Sequence, residues 1–156
     1  MIVSTRIVPL SLAVLLASAM MIGRANAEVS CHKINAKGVG EDLGNFATRA
    51  EIIGGGLLHG TTAAQFAPTG MSGTVVSFAG TVTFTTNQAT LTVAVTGTFD
   101  VATGEFSASG PVSGATGKLE GATGTLTFQG IQDLSAGTFV EDVTGEICVD
   151  LSPGAS

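Results

Sequence analysis

Tryptophan and tyrosine are absent from these 156 residues, lysine and arginine together number six, and there are two cysteines and two histidines. Each shortage removes a class of protein. Six basic side chains against twelve acidic ones cannot neutralise phosphate over a useful surface, so neither nucleic acid nor an anionic membrane is an expected partner. A transmembrane barrel sets tryptophan and tyrosine at both lipid interfaces, and neither type is available. Two cysteines without a second thiol nearby, and with only the adjacent pair Cys31-His32, are too few ligands in too poor a spacing for zinc, so no metal site is expected. Gly54-Gly55-Gly56 lacks the lysine and helix of a phosphate loop, and no G-x-S-x-G elbow occurs. No cofactor is expected.

The N-terminus is divided into three parts. Met1 to Arg6 is short and basic, Ile7 to Ile22 is almost continuously apolar, and Ala25-Asn26-Ala27 is a small-x-small pattern. These are the parts of a secretory signal, expected over residues 1–27 with a single domain over 28–156. The alternative, a membrane anchor, would need about 20 apolar residues, and this run is shorter. Without the leader the chain has four basic and twelve acidic residues, a formal charge of −8. The expected location is secreted or periplasmic. In such a compartment the two cysteines, Cys31 and Cys148, are expected to pair, joining the two ends of the domain.

Glycine and threonine make up about a third of the domain, a composition of strands and turns. Period-two alternation is clearest at Leu91, Val93, Val95, Gly97 and Phe99, with Thr90, Thr92, Thr96 and Thr98 on the other face. Val76, Phe78, Gly80, Val82 and Phe84 alternate in the same way with Ser77, Thr81, Thr83 and Thr85. A helix would scatter these threonines around its circumference. Thr86-Asn87-Gln88 and Asp100 to Gly104 read as hairpin turns. The only candidate helix, around Thr61 to Ala67, is too short to stand. Strands are expected near 30–39, 46–53, 56–66, 73–85, 89–99, 105–112, 118–130 and 138–150. Eight strands with short connections and one apolar face predict an all-β, eight-stranded, antiparallel up-and-down barrel, with a β-sandwich as the alternative. In a barrel, Cys31 and Cys148 would meet on the outer face where the first and last strands close the ring.

The run Gly114-Ala-Thr-Gly-Lys-Leu-Glu-Gly-Ala-Thr-Gly-Thr-Leu-Thr-Phe128 resembles the late-strand signature of dirigent and allene oxide cyclase-like barrels, and the hairpin Gly97 to Phe106 resembles their bacterial secreted members. The likeness follows the order of elements over residues 56–150. It implies an eight-stranded barrel with a hydrophobic central cavity, often trimeric in plant relatives, and hence a candidate homo-oligomer. Those relatives guide cyclisation or coupling of apolar reactive intermediates with polar side chains, tyrosines among them, inside the barrel. This chain has no tyrosine, and none of those catalytic positions matches a residue here.

Candidate functional residues are therefore few. Phe78, Phe84, Phe99, Phe106, Phe128 and Phe139 share the apolar face, and Phe84, Phe99, Phe128 and Phe139 are taken as candidate contacts to a small apolar ligand. The other reading is that the same rings fill the barrel as core. Gly80, Gly97, Gly110 and Gly145 on that face either seat the rings or leave a void. Glu141 lies between Phe139 and Val143, so a regular strand would bury its carboxyl and suit it to acid–base work. A bulge near Glu141-Asp142 that turns it to solvent is the expectation adopted, and no residue is assigned a catalytic role. His59, His32 and the same-face pair Arg49 and Glu51 are expected at the surface. Three functions follow: a binding module for an apolar molecule, an isomerase or cyclase, and a pocketless interaction domain.

Overall fold

The computed structural model describes residues 28–152; the expected leader lies outside them. Eight strands run in chain order around a closed antiparallel barrel: β1 (Val29–Gly44), β2 (Ala47–Gly54), β3 (Gly60–Ser72), β4 (Val75–Thr85), β5 (Ala89–Asp100), β6 (Glu105–Gly117), β7 (Thr123–Asp133) and β8 (Thr138–Asp150). Every strand pairs with its sequence neighbour, and β1 closes on β8 from Val29↔Asp150 to Glu41↔Thr138. Closure leaves no free sheet edge. The fold is the barrel, not the sandwich.

Most strand boundaries fall within a few residues of expectation, and the exceptions have local causes. The run expected as a strand from residue 56 begins instead as a single 3-10 turn, Gly56–Leu58. Gly54, Gly55 and Gly56 all sit at positive φ (78°, 73° and 56°), which ends β2 and drops Leu58 across the base of the barrel. The strand expected from residue 118 starts only at Thr123. Lys118 to Glu120 form a turn that buries Leu119, and the Gly114 to Gly117 run completes β6. The Thr61 to Ala67 segment is strand, its Thr62, Ala64 and Phe66 facing inward opposite Phe84, Val82 and Gly80.

The interior has two unequal halves. Around the β2–β3, β4–β5 and β6–β7 connections it is solid: Ile34, Ile52, Leu58, Phe84, Leu91, Leu119, Leu126, Ile147 and Val149 are buried against one another. On the outside of this half, Cys31 and Cys148 face each other in the β1–β8 register and form a disulfide over a sequence separation of 117. Such a bond is a feature of oxidising compartments. At the other end lie the β1–β2, β3–β4, β5–β6 and β7–β8 turns, and there the barrel is open.

Candidate functional site

The open half encloses a cavity of about 370 Å³, within the range of small-molecule pockets. Its wall is dominated by phenylalanine: Phe66, Phe78, Phe99, Phe106, Phe128 and Phe139. Strand alternation sends each ring inward, and the cross-strand partner decides how far the ring projects. Phe66 lies opposite Gly80, Phe78 opposite Gly97, Phe106 opposite Gly130, and Phe139 opposite Gly40. A Cβ added at Gly80 would come within 2.7 Å of Phe66, at Gly97 within 2.7 Å of Phe78, and at Gly130 within 2.5 Å of Phe106. The rings therefore lie down on bare backbone and line the barrel wall instead of crossing its axis. Two pairs reinforce this arrangement, Phe66–Phe78 at 5.0 Å and the edge-to-face pair Phe106–Phe139 at 5.8 Å between centroids.

Three of the four candidate ligand contacts, Phe99, Phe128 and Phe139, stand on this wall. Phe84 does not. It is fully buried in the solid half, stacked at 6.1 Å on Phe128, so its position is that of core beneath the cavity. Phe66 was not singled out in the sequence, because β3 lacks the threonine alternation that marks β4 and β5. Nor were the inward polar residues Asp42, Thr48, Thr62 and Gln132, which also border the cavity. Their only sequence signal is parity: each keeps step with inward neighbours such as Ala50 or Ala64.

Polar groups cluster at the mouth. Gln132 Nε2 donates to Asp42 Oδ2 at 3.2 Å, and the Gly44 amide donates to Asp42 Oδ1 at 2.8 Å. Asn45 and Phe46 turn the chain there with φ of 52° and 59°. Positive φ is uncommon for a bulky residue. Phe46 is held by the bond from the Phe66 amide to its carbonyl (2.9 Å), and its ring remains exposed at the rim.

Deeper in, the one ionisable side chain among the described residues is Glu141. The bulge expected near Glu141-Asp142 does not form: β8 stays in register, with Glu141 opposite Gly38 of β1 and Gly130 of β7. Alternation therefore points the carboxyl inward. Both neighbours must be small for it to fit. A Cβ at Gly38 would lie 2.6 Å from Glu141 Cγ and 2.7 Å from Oε1, and one at Gly130 would lie 2.9 Å from Glu141 Cβ. Burial pushes the carboxyl from an ordinary 4.5 up to about 7, with no charge or hydrogen bond from another described residue offsetting it. The surface that Glu141 retains is cavity surface, which is why the residue as a whole is only half-buried. Such a group can donate a proton when neutral and accept one, or pair with a cation, when ionised.

The remaining candidates lie elsewhere. His59 is exposed beside Arg49 and Glu51 in a shallow outer groove. Arg49 is bonded at 2.6 Å to Glu41, its partner across β1–β2, and not to Glu51. His32 is near the start of β1, with a ring nitrogen 2.9 Å from Ser30 Oγ. Cys31 and Cys148 have Glu146 close by, but both thiols are consumed in the disulfide. A scan against protein-family models finds no match for the chain, and a search of curated proteins finds no similar sequence.

Proposed function

We propose that this chain is an exported barrel that holds a small, largely apolar molecule in its open half. The observation that carries the reading is the 370 Å³ cavity and its six-phenylalanine wall. Filled barrels of this strand number spend the same interior on side chains; here the Phe–Gly pairs keep it free. At about 30 Å³ per water-sized group the space suits roughly a dozen non-hydrogen atoms. The disulfide and the three-part leader support export. Native mass spectrometry of protein purified under mild conditions should retain a one-to-one apolar ligand. Apo protein that also leaves a fluorescent apolar probe unbound would count against the reading.

A second reading, an isomerase or cyclase of the allene oxide cyclase or dirigent type, is supported by the resemblance over Gly114–Phe128 and by Glu141 inside the cavity. It assigns Glu141 as the acid–base group. Glu141→Gln should then abolish turnover of an apolar substrate in protein that still folds; undiminished turnover excludes the assignment. The binding reading also admits a homo-oligomer: Val39, Val140 and Ile131 form an exposed apolar row across β1, β8 and β7, and sedimentation reads the mass.

A further inference from the structure

The cavity's charges are all of one sign. Among the described residues that line it, the ionisable ones are Asp42 at the mouth and Glu141 within, and no lysine, arginine or histidine joins them. The walls are lined by aromatic rings, whose faces carry a negative quadrupole that attracts cations. The groups that face Glu141 from the adjoining strands are Gly38 on β1 and Gly130 on β7, and neither can titrate. Next along β8, Asp142 points outward and is paired with Lys37. No described residue therefore compensates the Glu141 carboxylate, while the fold has already borne the cost of desolvating it.

We propose that the cavity selects small apolar molecules that carry a protonated amine, with the ammonium seated against Glu141 and the hydrocarbon among the phenylalanines, and that it rejects carboxylates of the same skeleton. This inference rests on the binding reading and names its ligand class. An ammonium supplies the missing counter-charge and sits near the aromatic pair Phe106 and Phe139; a carboxylate would add a third negative charge to a pocket holding two. The net charge of the chain, −6 overall, acts in the same direction at long range.

The test uses one skeleton with three head groups: 4-phenylbutylamine, 4-phenylbutanol and 4-phenylbutyrate, each near the dozen-atom size. Calorimetric titration of the disulfide-bonded protein at pH 7.5 should rank amine above alcohol by about tenfold or more and carboxylate last. Glu141 ionises near pH 7, so amine affinity should fall by up to roughly 25-fold between pH 7.5 and 5.5, with alcohol affinity nearly flat. In Glu141→Gln the amine should lose its advantage over the alcohol. As a check on the unaltered chain, carbon-detected NMR should show the Glu141 carboxyl titrating at lower pH once 4-phenylbutylamine is bound. An amine no tighter than the alcohol, or a carboxylate that matches it, overturns the amine inference and leaves apolar binding intact. If none of the three binds and the apolar probe is also ignored, the binding reading itself falls.

Discussion

Glu141 should make this barrel less stable as the pH rises through neutrality, the reverse of the usual carboxylate contribution. In the folded chain its carboxyl titrates near 7 and in the unfolded chain near 4.5. Between those values the folded state holds a proton that the unfolded state has released, so stability falls as pH increases. Below 4.5 both states are protonated and there is no penalty. Above 7 the penalty is complete, on the order of 3 kcal/mol at 1.36 kcal/mol per pH unit of separation. The exposed turn carboxylates act oppositely and at lower pH. Asp100, held low by the Ala102 amide, Asp133, held low by the Ser135 hydroxyl, and Asp150, held low by the Ser152 hydroxyl, all stabilise above the ordinary Asp range and lose that effect in acid.

The difference between the natural chain and Glu141→Gln isolates the one group. Glutamine keeps the shape and never ionises, so the two proteins should have nearly equal urea midpoints at pH 4. At pH 8 the Gln variant should be more stable by about 1–3 kcal/mol, with the gap opening between pH 5 and 7. Urea denaturation followed by far-ultraviolet circular dichroism, on disulfide-intact protein in steps of half a pH unit, measures the curve. A Gln variant that is less stable at pH 8, or a difference that is flat with pH, would refute the claim that an uncompensated carboxyl stands inside the barrel.

Other perturbations separate the two halves of the interior. Phe84→Ala, in the solid half, should cost about 3–5 kcal/mol as a core truncation and leave apolar-probe binding measurable in the folded fraction. Phe99→Ala, on the cavity wall, opens no new enclosed void, so it should cost under about 2 kcal/mol in the same urea assay and change probe affinity instead. Gly38→Ala drives a methyl into the Glu141 side chain and should cost about 1–3 kcal/mol, with part of the loss restored in Gly38→Ala/Glu141→Ala. Cys31→Ser/Cys148→Ser should cost about 2–4 kcal/mol, below the roughly 5 kcal/mol that loop entropy alone would set as a ceiling for so long a span. Hydrogen exchange should then speed up first along the β1–β8 seam.

The architecture was legible because this chain writes its strands in a two-letter alternation. Threonine out and apolar in, from Val76 through Phe99, admits no helix, and turn residues fell where β4–β5 and β5–β6 in fact reverse. The disulfide followed from the expectation of export and from parity: Cys31 and Cys148 both stood on the outward face of strands that closure makes neighbours. The base of the barrel was not legible. Whether Gly54-Gly55-Gly56 starts a strand or stops one depends on φ, which glycine alone leaves open. The side on which Glu141 lies was misjudged for a related reason. Glu-Asp in an antiparallel strand ordinarily signals a bulge or a solvent face, and the signal against it lay on other strands, in Gly130 and, a hundred residues away, in Gly38.

That distant glycine is one of a set of cross-strand partners that shape the cavity. Eight strands make an interior just wide enough for side chains to fill, so an open half must place its bulk somewhere other than the axis. In the solid half Phe84 lies opposite Leu91, while Leu126 lies opposite Gly110 and Gly145 and Ile147 opposite Gly124, and the aliphatic side chains there pack against one another. In the open half the residues set against glycine are mostly aromatic, Phe66 with Gly80, Phe78 with Gly97, Phe106 with Gly130 and Phe139 with Gly40, joined by Glu141 with Gly38, while Phe99 lies opposite Val76 and Phe106. Each glycine removes one side chain and lets its partner recline into the vacated space. If these partners shape the cavity, a glycine replaced by alanine should do more than clash with the neighbouring strand. In Gly97→Ala the methyl would lie 2.3 Å from the Ser107 carbonyl oxygen and 2.7 Å from the Phe78 ring, so the strand pair must shift and the ring lift toward the axis, lowering stability and apolar-probe binding together. Probe titration and urea midpoints on that one variant measure both quantities, and a fall in stability with probe affinity unmoved would show that the pairing serves packing alone.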